Sequence, residues 1–271
     1  MSLPVFFAPE AAQAVTGATL TLGEEVAGHA VRVRRIGPGE ELELVDGEGT
    51  RVRATVTSAS AHELRVDVAS VSRSEATSPR LVLVQALAKG DRDLQAIEQA
   101  TEIGVDEVVP WAAARSIADW PEKKRHKMAA KWENLLRAAS LQARRSRFPL
   151  LHDLARGTRL TSFLTETDRV FVLHETAALR LSQALAAADL PLASPGAETA
   201  SARAETASPA AESVIERIVL VVGPEGGISD AELEALSSAG ATPVLLGPTI
   251  LRSSSAGPAG LVMAQCALGR W

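Results

Sequence analysis

The segment Val221–Leu236, VVGPEGGISDAELEAL, joins an apolar strand to a helix through a loop of glycine, proline and glutamate. Ser229 and Glu232 have the spacing of a capping box, which predicts that the helix begins near Asp230. The three glycines of the loop allow positive φ angles and a close approach of the backbone to a ligand. Open parallel sheets bind ligands at the carboxyl ends of their strands, so this loop is a candidate binding site.

The chemistry of the loop argues against a ligand that is bound through phosphate groups. The loop lacks both the Gly-Lys-Ser/Thr ending of a Walker loop and the G-x-G-x-x-G spacing of a dinucleotide loop. Its one charged side chain is that of Glu225, which would repel an anion but is compatible with a neutral or cationic nucleoside. A tight turn without a ligand is the alternative at this point.

Outward from this loop, apolar runs alternate with helical patterns from Arg80 to the end of the chain. The predicted strands are LVLVQAL, VDEVVPWAA, RVFVLHE, RIVLVVG and TPVLLG. The predicted helices are DRDLQAIEQATEIG, EKKRHKMAAKWENLLRAASLQARRSR, ALRLSQALAAA, DAELEALSSAG and SSAGPAGLVMAQCALG. This alternation predicts an α/β domain over residues 76–271, in which helices cover a parallel sheet. Residues 186–213, rich in Ala, Ser, Pro and Glu, are predicted to be a flexible surface insertion.

Residues 1–75 have the pattern of a small β domain. HAVRVRR alternates between apolar and basic residues, which predicts a strand with Val31 and Val33 on one face. IGPGEELELVDGEGTRVRATV places turn signals between short strands, and ELRVDVASV alternates again. Several short strands at close spacing predict a barrel or a sandwich, followed by a linker at Ser72–Pro79.

Composition limits the setting in which the protein works. The chain has 271 residues and a net charge of −5, and its single cysteine, Cys266, excludes an internal disulfide. Cys266 lies in an apolar stretch, so we expect it to be a small buried residue. The sequence shows no signal peptide and no apolar run of membrane-spanning length, so we expect a cytoplasmic protein without a membrane partner.

Positive charge is concentrated in one part of this acidic chain. Residues 115–147 contain ten Lys or Arg residues and three acidic residues. A local basic stripe of this kind is typical of a protein that contacts a phosphate backbone, although a solvated helix face is the alternative.

Two further strand ends share the context of the glycine-rich loop. His174 and Glu175 follow one predicted strand, and Gly247 and Pro248 follow another. Arg252 is the one charged residue in the third loop, and it precedes a serine cluster that can cap the last helix. The three strand ends together predict one pocket.

The chain resembles the RsmE family of 16S ribosomal RNA uridine-N3 methyltransferases, which belongs to the SPOUT superfamily. The resemblance covers nearly the whole chain. It is carried by FFAPE, KGDRDLQAIEQATEIGVDEVVPWAAARS, QARRSRFP, VLHE, VVGPEGGISDAELEAL and LGPTILRSSSA. It implies S-adenosylmethionine (SAM) as cofactor, a SPOUT-type parallel sheet with a C-terminal trefoil knot, a PUA-like RNA-binding barrel at residues 1–75 and a homodimer. The sulfonium of SAM is positive and its adenosine has no phosphate, which suits the Glu225 loop.

The resemblance also implies which residues form the donor site. The expected cofactor-binding residues are Leu173, His174, Glu175, Gly223, Pro224, Glu225, Gly226, Leu246, Gly247, Leu251, Arg252, Ser253 and Ser254. Arg252 is the expected catalytic residue beside the uracil, where its guanidinium would stabilise an anion. A phosphate contact or a helix cap is the alternative for Arg252. Glu225 is one candidate for the base, and solvent is another.

Six basic residues are expected to contact RNA: Lys89, Arg92, Arg115, Arg144, Arg145 and Arg147. For Lys89 and Arg92 the alternative is a solvated turn. For Arg144, Arg145 and Arg147 the alternative is a solvated helix end. His126 and His152 have no Cys or His partners at ligand spacing, so we expect no metal site. The chain departs from many relatives at Ser254 and Ser255, where they have a Glu-Thr pair, which puts a carboxylate role at Ser254 in doubt.

The resemblance implies SAM-dependent methylation of uracil N3 at a specific uridine of 16S rRNA, in the assembled small ribosomal subunit. Two alternatives stay open. One is a SPOUT enzyme that methylates the ribose 2′-oxygen of RNA. The other is a non-catalytic RNA-binding protein of ribosome assembly, which would be free to lose the donor pocket.

Overall fold

The computed structural model describes residues 3–188, 190–191 and 215–271. The chain forms two compact units. The first unit comprises Met1–Thr77 and Asn134–Pro149, and the second comprises Ser78–Glu133 and Leu150–Trp271. The second half of the long basic helix therefore belongs to the first unit. The predicted division into residues 1–75 and 76–271 does not include this return of the chain. Most of the predicted insertion at 186–213 lies outside the described residues.

The first unit is built on a five-stranded sheet. Its strands are β1 (Val5–Phe7), β2 (Thr19–Leu22), β3 (Glu41–Val45), β4 (Thr50–Ala59) and β5 (Leu64–Arg73). The order is β1-β3-β4-β5-β2, in which β1 and β3 are parallel and the other neighbours are antiparallel. Val52, Ala54 and Val56 alternate into an apolar core, as the period of a half-buried strand requires. The predicted β domain is confirmed as a small curled sheet.

One predicted strand of the first unit is wrong. HAVRVRR is helical: helix α1 (Glu24–Gly28) continues into a π-type turn at His29–Val33. Val26, Ala27 and Ala30 are buried at helical spacing, whereas Val33 is 66% exposed. The alternation of valine and arginine therefore does not reflect a sheet face, because burial of the alanines decides the local structure.

The second unit contains a sheet in which every pair of neighbouring strands is parallel. Its strands are β6 (Arg80–Ala86), β7 (Glu107–Ala112), β8 (Leu150–Leu151), β9 (Ala155–Arg156), β10 (Asp168–Leu173), β11 (Arg217–Val222) and β12 (Thr242–Val244). The order is β12-β10-β11-β6-β7-β8, and β9 also pairs with β7. The predicted α/β domain with a parallel sheet is confirmed.

Helices cover both faces of this sheet. The helices that follow α1 are α2 (Arg92–Ile103), α3 (Arg125–Gln142), α4 (Leu181–Ala186), α5 (Asp230–Ser238) and α6 (Ser253–Ala267). Helix α6 packs against α2, α4, β6 and β11, and α5 packs against a 3-10 helix at Gly157–Phe163 on the other face. Gly257 lets α6 approach the sheet closely, because a Cβ there would lie 2.8 Å from Leu83 Cδ1.

Helix α3 ends earlier than predicted. It stops at Gln142, and Arg144 takes a left-handed conformation with φ of 57°. The backbone N–H of Arg145 donates to the carbonyl of Ser140 at 2.8 Å, which is the 6→1 hydrogen bond of a helix C-terminus. Arg144, Arg145 and Arg147 therefore lie in the turn after the helix. This ending is not visible in the basic pattern, because arginine favours a helix interior and glycine is the usual terminator.

The expectation for Cys266 is also wrong, because this residue is exposed. Leu261, Ala264, Gln265 and Leu268 form the buried side of α6. At 3.6 residues per turn, Cys266 points away from that side.

Candidate functional site

The carboxyl ends of β10, β11 and β12 lie side by side in the second unit. Leu173, the last residue of β10, is in register with Val222 of β11 and with Val244 of β12. The three loops that follow therefore start at the same level of the sheet. This arrangement results from the strand order, which places β10 between the other two strands.

The three loops surround a cavity of about 840 Å³. Twelve of the thirteen predicted donor residues line it: Leu173, His174, Glu175, Gly223, Pro224, Glu225, Gly226, Leu246, Gly247, Leu251, Arg252 and Ser253. Ser254 is buried in the first turn of α6 and does not line the cavity. The fold thus brings together residues that are up to about eighty positions apart in sequence.

The loop after β11 approaches its neighbours too closely for side chains at two glycines. A Cβ on Gly223 would lie 2.6 Å from Ile228 Cγ1, and a Cβ on Gly226 would lie 2.9 Å from the carbonyl oxygen of Arg115. Gly227 has a φ of +75°, and its N–H donates to the carbonyl of Pro224 at 2.9 Å. The glycines are therefore needed for the shape of the loop as well as for access to a ligand.

A buried carboxylate holds this loop against the loop that follows β7. Glu232, at 2% exposure, accepts hydrogen bonds from the backbone N–H of Ala114 at 2.7 Å and from that of Ser229 at 3.1 Å. The hydroxyl of Ser229 also bonds to it at 2.6 Å, so the predicted capping box is confirmed. Glu232 therefore fixes the position of Arg115, which packs on Gly226.

The loop after β10 is tied to the end of β12. The N–H of His174 donates to the carbonyl of Val244 at 2.9 Å, and the N–H of Leu245 donates to the carbonyl of Leu179 at 2.8 Å. Nδ1 of His174 lies 3.0 Å from the hydroxyl of Thr176 and accepts from its N–H at 3.4 Å, so Thr176 orients the imidazole ring.

Charges of both signs line the cavity. Glu225 pairs with Arg92 at 2.9 Å, and Nη1 of Arg115 donates to the carbonyl of Ile228 at 3.4 Å. The side chains of Glu175 and Arg252 have no hydrogen bond or ion pair with any described residue. Asp230 also lines the cavity and likewise has no side-chain partner among the described residues, so Glu175, Asp230 and Arg252 are the charged groups of the cavity that are free to meet a ligand.

The amino end of α6 closes the cavity on the third side. The carbonyl of Arg252 accepts the N–H groups of Ser255 and Ala256, so Arg252 stands at the start of the helix. The hydroxyl of Ser253 is buried and has no hydrogen-bond partner in the described part of the chain. It can donate to or accept from a polar ligand.

The residues predicted to contact RNA fall into two groups. Lys89, Arg92 and Arg115 follow β6 and β7, and two of them, Arg92 and Arg115, line the cavity itself. The sequence signal for this was available, since both follow strands of the same parallel sheet. Arg144, Arg145 and Arg147 belong to the first unit. Arg144 donates to the carbonyl of Leu3 and Arg147 to that of Ser74, so both guanidinium groups already hold backbone carbonyls.

Two other kinds of feature are absent from the described residues. No helix among them is long and apolar enough to cross a membrane. No three His, Cys, Asp or Glu side chains in these ranges are grouped so that they could hold a metal ion.

Two family models match this chain. The RNA methyltransferase domain matches residues 75–265, and the RNA methyltransferase PUA domain matches residues 22–69. The chain is 36% identical over 260 residues to Ribosomal RNA small subunit methyltransferase E of Mycobacterium tuberculosis, covering 94% of this chain and 89% of that protein. It is 26% identical over 235 residues to the Bacillus subtilis protein of the same name, covering 86% and 84%.

Solved structures share the fold. Ribosomal RNA small subunit methyltransferase E of Neisseria gonorrhoeae, bound to SAM, has a TM-score of 0.79 at 23% identity, with 98% of each chain covered. A methyltransferase of Legionella pneumophila in complex with SAM has a TM-score of 0.77 at 24% identity, again over 98% of each chain. Together with the family models and the sequence relatives, these matches confirm the resemblance: the chain belongs to the RNA methyltransferase family of Ribosomal RNA small subunit methyltransferase E.

Proposed function

We propose that this protein methylates uracil N3 at a specific uridine of 16S rRNA, with SAM as the methyl donor and the assembled small ribosomal subunit as the substrate. The observation that carries the proposal is the cavity at the ends of β10, β11 and β12, in a chain of this family. The cavity combines unpartnered charged side chains, glycine backbone that a ligand can approach and an apolar lining, which suit a nucleoside cofactor.

The residues of the cavity fit SAM. A volume of about 840 Å³ lies within the range of small-molecule sites. The backbone at Gly223 leaves no room for a side chain, and the buried hydroxyl of Ser253 has an unused hydrogen-bonding capacity. The donor-binding residues proposed from the family resemblance are those of the three loops, with Ser254 behind them. When bound, SAM supplies an electrophilic methyl group on a positive sulfur.

Arg252 is proposed to act on the uracil. Uracil N3 carries a proton and becomes a good nucleophile only when that proton is lost. The free guanidinium of Arg252 can donate to O2 or O4 and stabilise the negative charge that develops there. Arg252 does not serve as the base, because arginine stays protonated in proteins.

Glu225 remains the proposed base, with solvent as the alternative. Its ion pair with Arg92 uses Oε1 and competes with proton transfer to that oxygen, so release of Arg92 would make Glu225 a better acceptor of the N3 proton. An RNA phosphate that binds Arg92 would provide such a release. Lys89, Arg92, Arg115, Arg144, Arg145 and Arg147 are the proposed RNA contacts, and a base paired at N3 must first leave its stack.

The division of labour within the chain is also a proposal. Residues 1–75 would bind RNA as a PUA-like barrel, and residues 76–271 would carry out the transfer. The family resemblance supports a C-terminal trefoil knot, a homodimer and a cytoplasmic location. The proposed reaction requires no metal ion, because transfer of the methyl group from the sulfonium leaves a neutral thioether, which is a good leaving group.

Two other functions are separable from this one. A SPOUT enzyme that methylates the ribose 2′-oxygen would use the same donor cavity, but the PUA-type model at residues 22–69 favours the base methyltransferase. A non-catalytic RNA-binding protein of ribosome assembly would have no reason to keep the close packing at Gly223 and Gly226.

The experiment that tests the proposal is transfer of tritiated methyl groups from SAM to small ribosomal subunits from cells that lack this protein. Nucleoside analysis of the 16S rRNA identifies the product. Label in 3-methyluridine that disappears with Arg252→Ala supports the function and the residue. Label in a 2′-O-methyl nucleoside would show that the target is the ribose 2′-oxygen and not uracil N3. Absence of both label and SAM binding would favour the non-catalytic RNA-binding protein.

A further inference from the structure

Two adjacent arginines of the first unit have unpartnered side chains. Arg53 pairs with Glu41 at 2.9 Å and Arg65 pairs with Glu63 at 2.8 Å, and the other arginines of this unit also have partners. The guanidinium groups of Arg34 and Arg35 have no hydrogen bond, ion pair or ring contact with any residue that the structure describes. Both residues are exposed. Their ten N–H donors therefore have no acceptor within residues 3–188, 190–191 and 215–271.

The backbone at this place is strained. The N–H of Ile36 donates to the carbonyl of Ala30 at 3.0 Å, six positions earlier, which closes the chain after the π-type turn. Arg35 occupies the left-handed position of this turn, with φ of 57°. Glycine is the usual residue there, and this chain uses glycine at most of its other positive-φ positions. Arg35 thus keeps a long charged side chain at a position where glycine would avoid the left-handed strain.

Buried side chains and a ring contact hold the two ends of the turn against the core of the first unit. Ala30 and Ile36 are buried on either side of the arginines, at 0% and 6% exposure. The ring of His29 meets that of Phe6 edge-on, with centroids 5.5 Å apart. Val33, beside the arginines, is exposed and adds an apolar surface. The segment thus presents two free guanidinium groups and one apolar side chain from a fixed backbone.

We propose that Val33, Arg34 and Arg35 form an RNA-binding surface of the first unit, in which the two arginines bind consecutive backbone phosphates. Guanidinium groups match phosphate oxygens in a bidentate manner, and Val33 can pack on a sugar or a base edge. The surface stands out because most of the other arginines of this unit already bind a carboxylate or a backbone carbonyl. This proposal rests on the proposed function, because it assumes an RNA substrate.

The test measures the binding of full-length protein to small ribosomal subunits that lack the modification, as a function of salt between roughly 50 and 200 mM. The variants are Arg34→Ala, Arg35→Gly and the double variant. Arg53→Ala is the matched control, because it removes the same charge from an arginine that already has a partner. The slope of log K against log salt should fall by about one for each lost phosphate contact and by about two for the double variant. The control should keep the wild-type slope.

Thermal unfolding separates binding from folding. Arg35→Gly relieves the left-handed strain, so its melting temperature should equal or exceed that of the wild type while its RNA affinity falls. A lower melting temperature for Arg35→Gly would show that Arg35 supports the fold, and this would overturn the proposal. An unchanged salt slope for the double variant would overturn it as well. The proposal would also be overturned if the substitutions weakened binding to anionic vesicles or to an acidic peptide but left binding to the ribosomal subunits unchanged.

The two proposals can fail independently. If wild-type protein binds SAM and methylates the rRNA but the double variant binds subunits with the wild-type slope, the arginine surface is wrong and the enzyme stands. If wild-type protein yields no 3-methyluridine yet its RNA binding depends on Arg34 and Arg35, the surface stands and the proposed reaction is wrong.

Discussion

Arg252 is the residue on which the proposed chemistry depends most directly. It lines the cavity at the ends of β10, β11 and β12, starts α6 and has no side-chain partner among the described residues. Arg252→Ala should lower kcat for methyl transfer by about 10²- to 10³-fold, the usual effect of removing one donor to a developing oxyanion. Arg252→Lys should recover part of the activity, because it restores the charge without the fork of donors.

The measurement is single-turnover methyl transfer together with SAM affinity by calorimetry. Arg159→Ala is the control, because Arg159 is an exposed arginine of the same unit that does not line the cavity. If Arg252→Ala weakened SAM binding alone and left the rate at saturating SAM unchanged, Arg252 would be a cofactor contact rather than a catalytic residue.

Gly223 should tolerate no side chain. A Cβ would lie 2.6 Å from Ile228 Cγ1, so Gly223→Ala must displace either the loop or the buried isoleucine. Overpacking of this kind costs about 1–3 kcal/mol, and we expect a comparable loss of unfolding free energy together with weaker SAM binding. Gly37→Ala is the matched control, since a Cβ there meets nothing within 4 Å. Equal stability of the two variants by urea unfolding would contradict the packing argument.

At the scale of elements, Glu232 connects α5, the loop after β11 and the segment after β7. Glu232→Ala would leave the N–H groups of Ala114 and Ser229 without their acceptor. An unsatisfied buried group costs about 1–3 kcal/mol, so the variant should unfold more easily and should raise KM for SAM more than it lowers kcat. Glu234→Ala, an exposed position of the same helix, should change neither. An unchanged KM for SAM in a folded Glu232→Ala protein would show that the loop keeps its shape without the hydrogen bonds of Glu232.

Element prediction from sequence succeeded where periodicity and burial agree. β6, β10 and β11 are apolar runs buried on both faces, which is the signature of a parallel sheet. It failed where the two disagree. HAVRVRR alternates like a strand, but the alanines at helical spacing are the residues that enter the core. The end of α3 was missed because a left-handed arginine, rather than a glycine, terminates it.

At the scale of the whole sheet, the edge opposite to the cavity contains a buried ionic cluster. Arg217 at the start of β11 binds Asp168 at the start of β10 through two hydrogen bonds of 2.8 and 2.7 Å. Glu107 at the start of β7 pairs with Arg80 at 2.7 Å and with His152 at 2.7 Å. The amino ends of the strands are thus held by charges, while their carboxyl ends form the cavity.

This cluster predicts a pH dependence of stability. Burial alone would raise the pKa of Glu107, but the hydrogen bond with His152 and the attraction of Arg80 and Arg217 outweigh it, so the pKa lies below its ordinary value of 4.5. A carboxylate with a lowered pKa stabilises the folded state above its unfolded pKa, and this contribution is lost as the pH falls through the folded pKa. The free energy of unfolding should therefore fall as the pH drops below 4.5.

Urea unfolding at several pH values between about 3 and 6 measures this effect. Glu107→Gln should be less stable at neutral pH, because it leaves buried positive charge, and its stability should vary less across the acidic range. Glu234→Gln is the control and should follow the wild-type curve. Parallel curves for wild type and Glu107→Gln would assign the acid sensitivity to other carboxylates.

The sequence by itself determined the class of the fold and the chemical character of the site. The order of apolar runs and helical patterns predicts a parallel sheet, because each pattern is local and depends on burial of nearby residues. The motifs at the strand ends predict a donor pocket and, through the family resemblance, SAM and an RNA substrate. Neither statement needs distances between residues that are remote in the chain.

Only the tertiary structure decided which residues meet. The strand order places the ends of β10, β11 and β12 side by side, brings Arg92 onto Glu225 and packs Arg115 on Gly226. It also leaves the side chains of Glu175, Arg252, Arg34 and Arg35 without partners in the part of the chain that the structure describes. Pairing across the sheet depends on long-range packing, and a single sequence contains no local signal for the neighbour that a charged side chain will find.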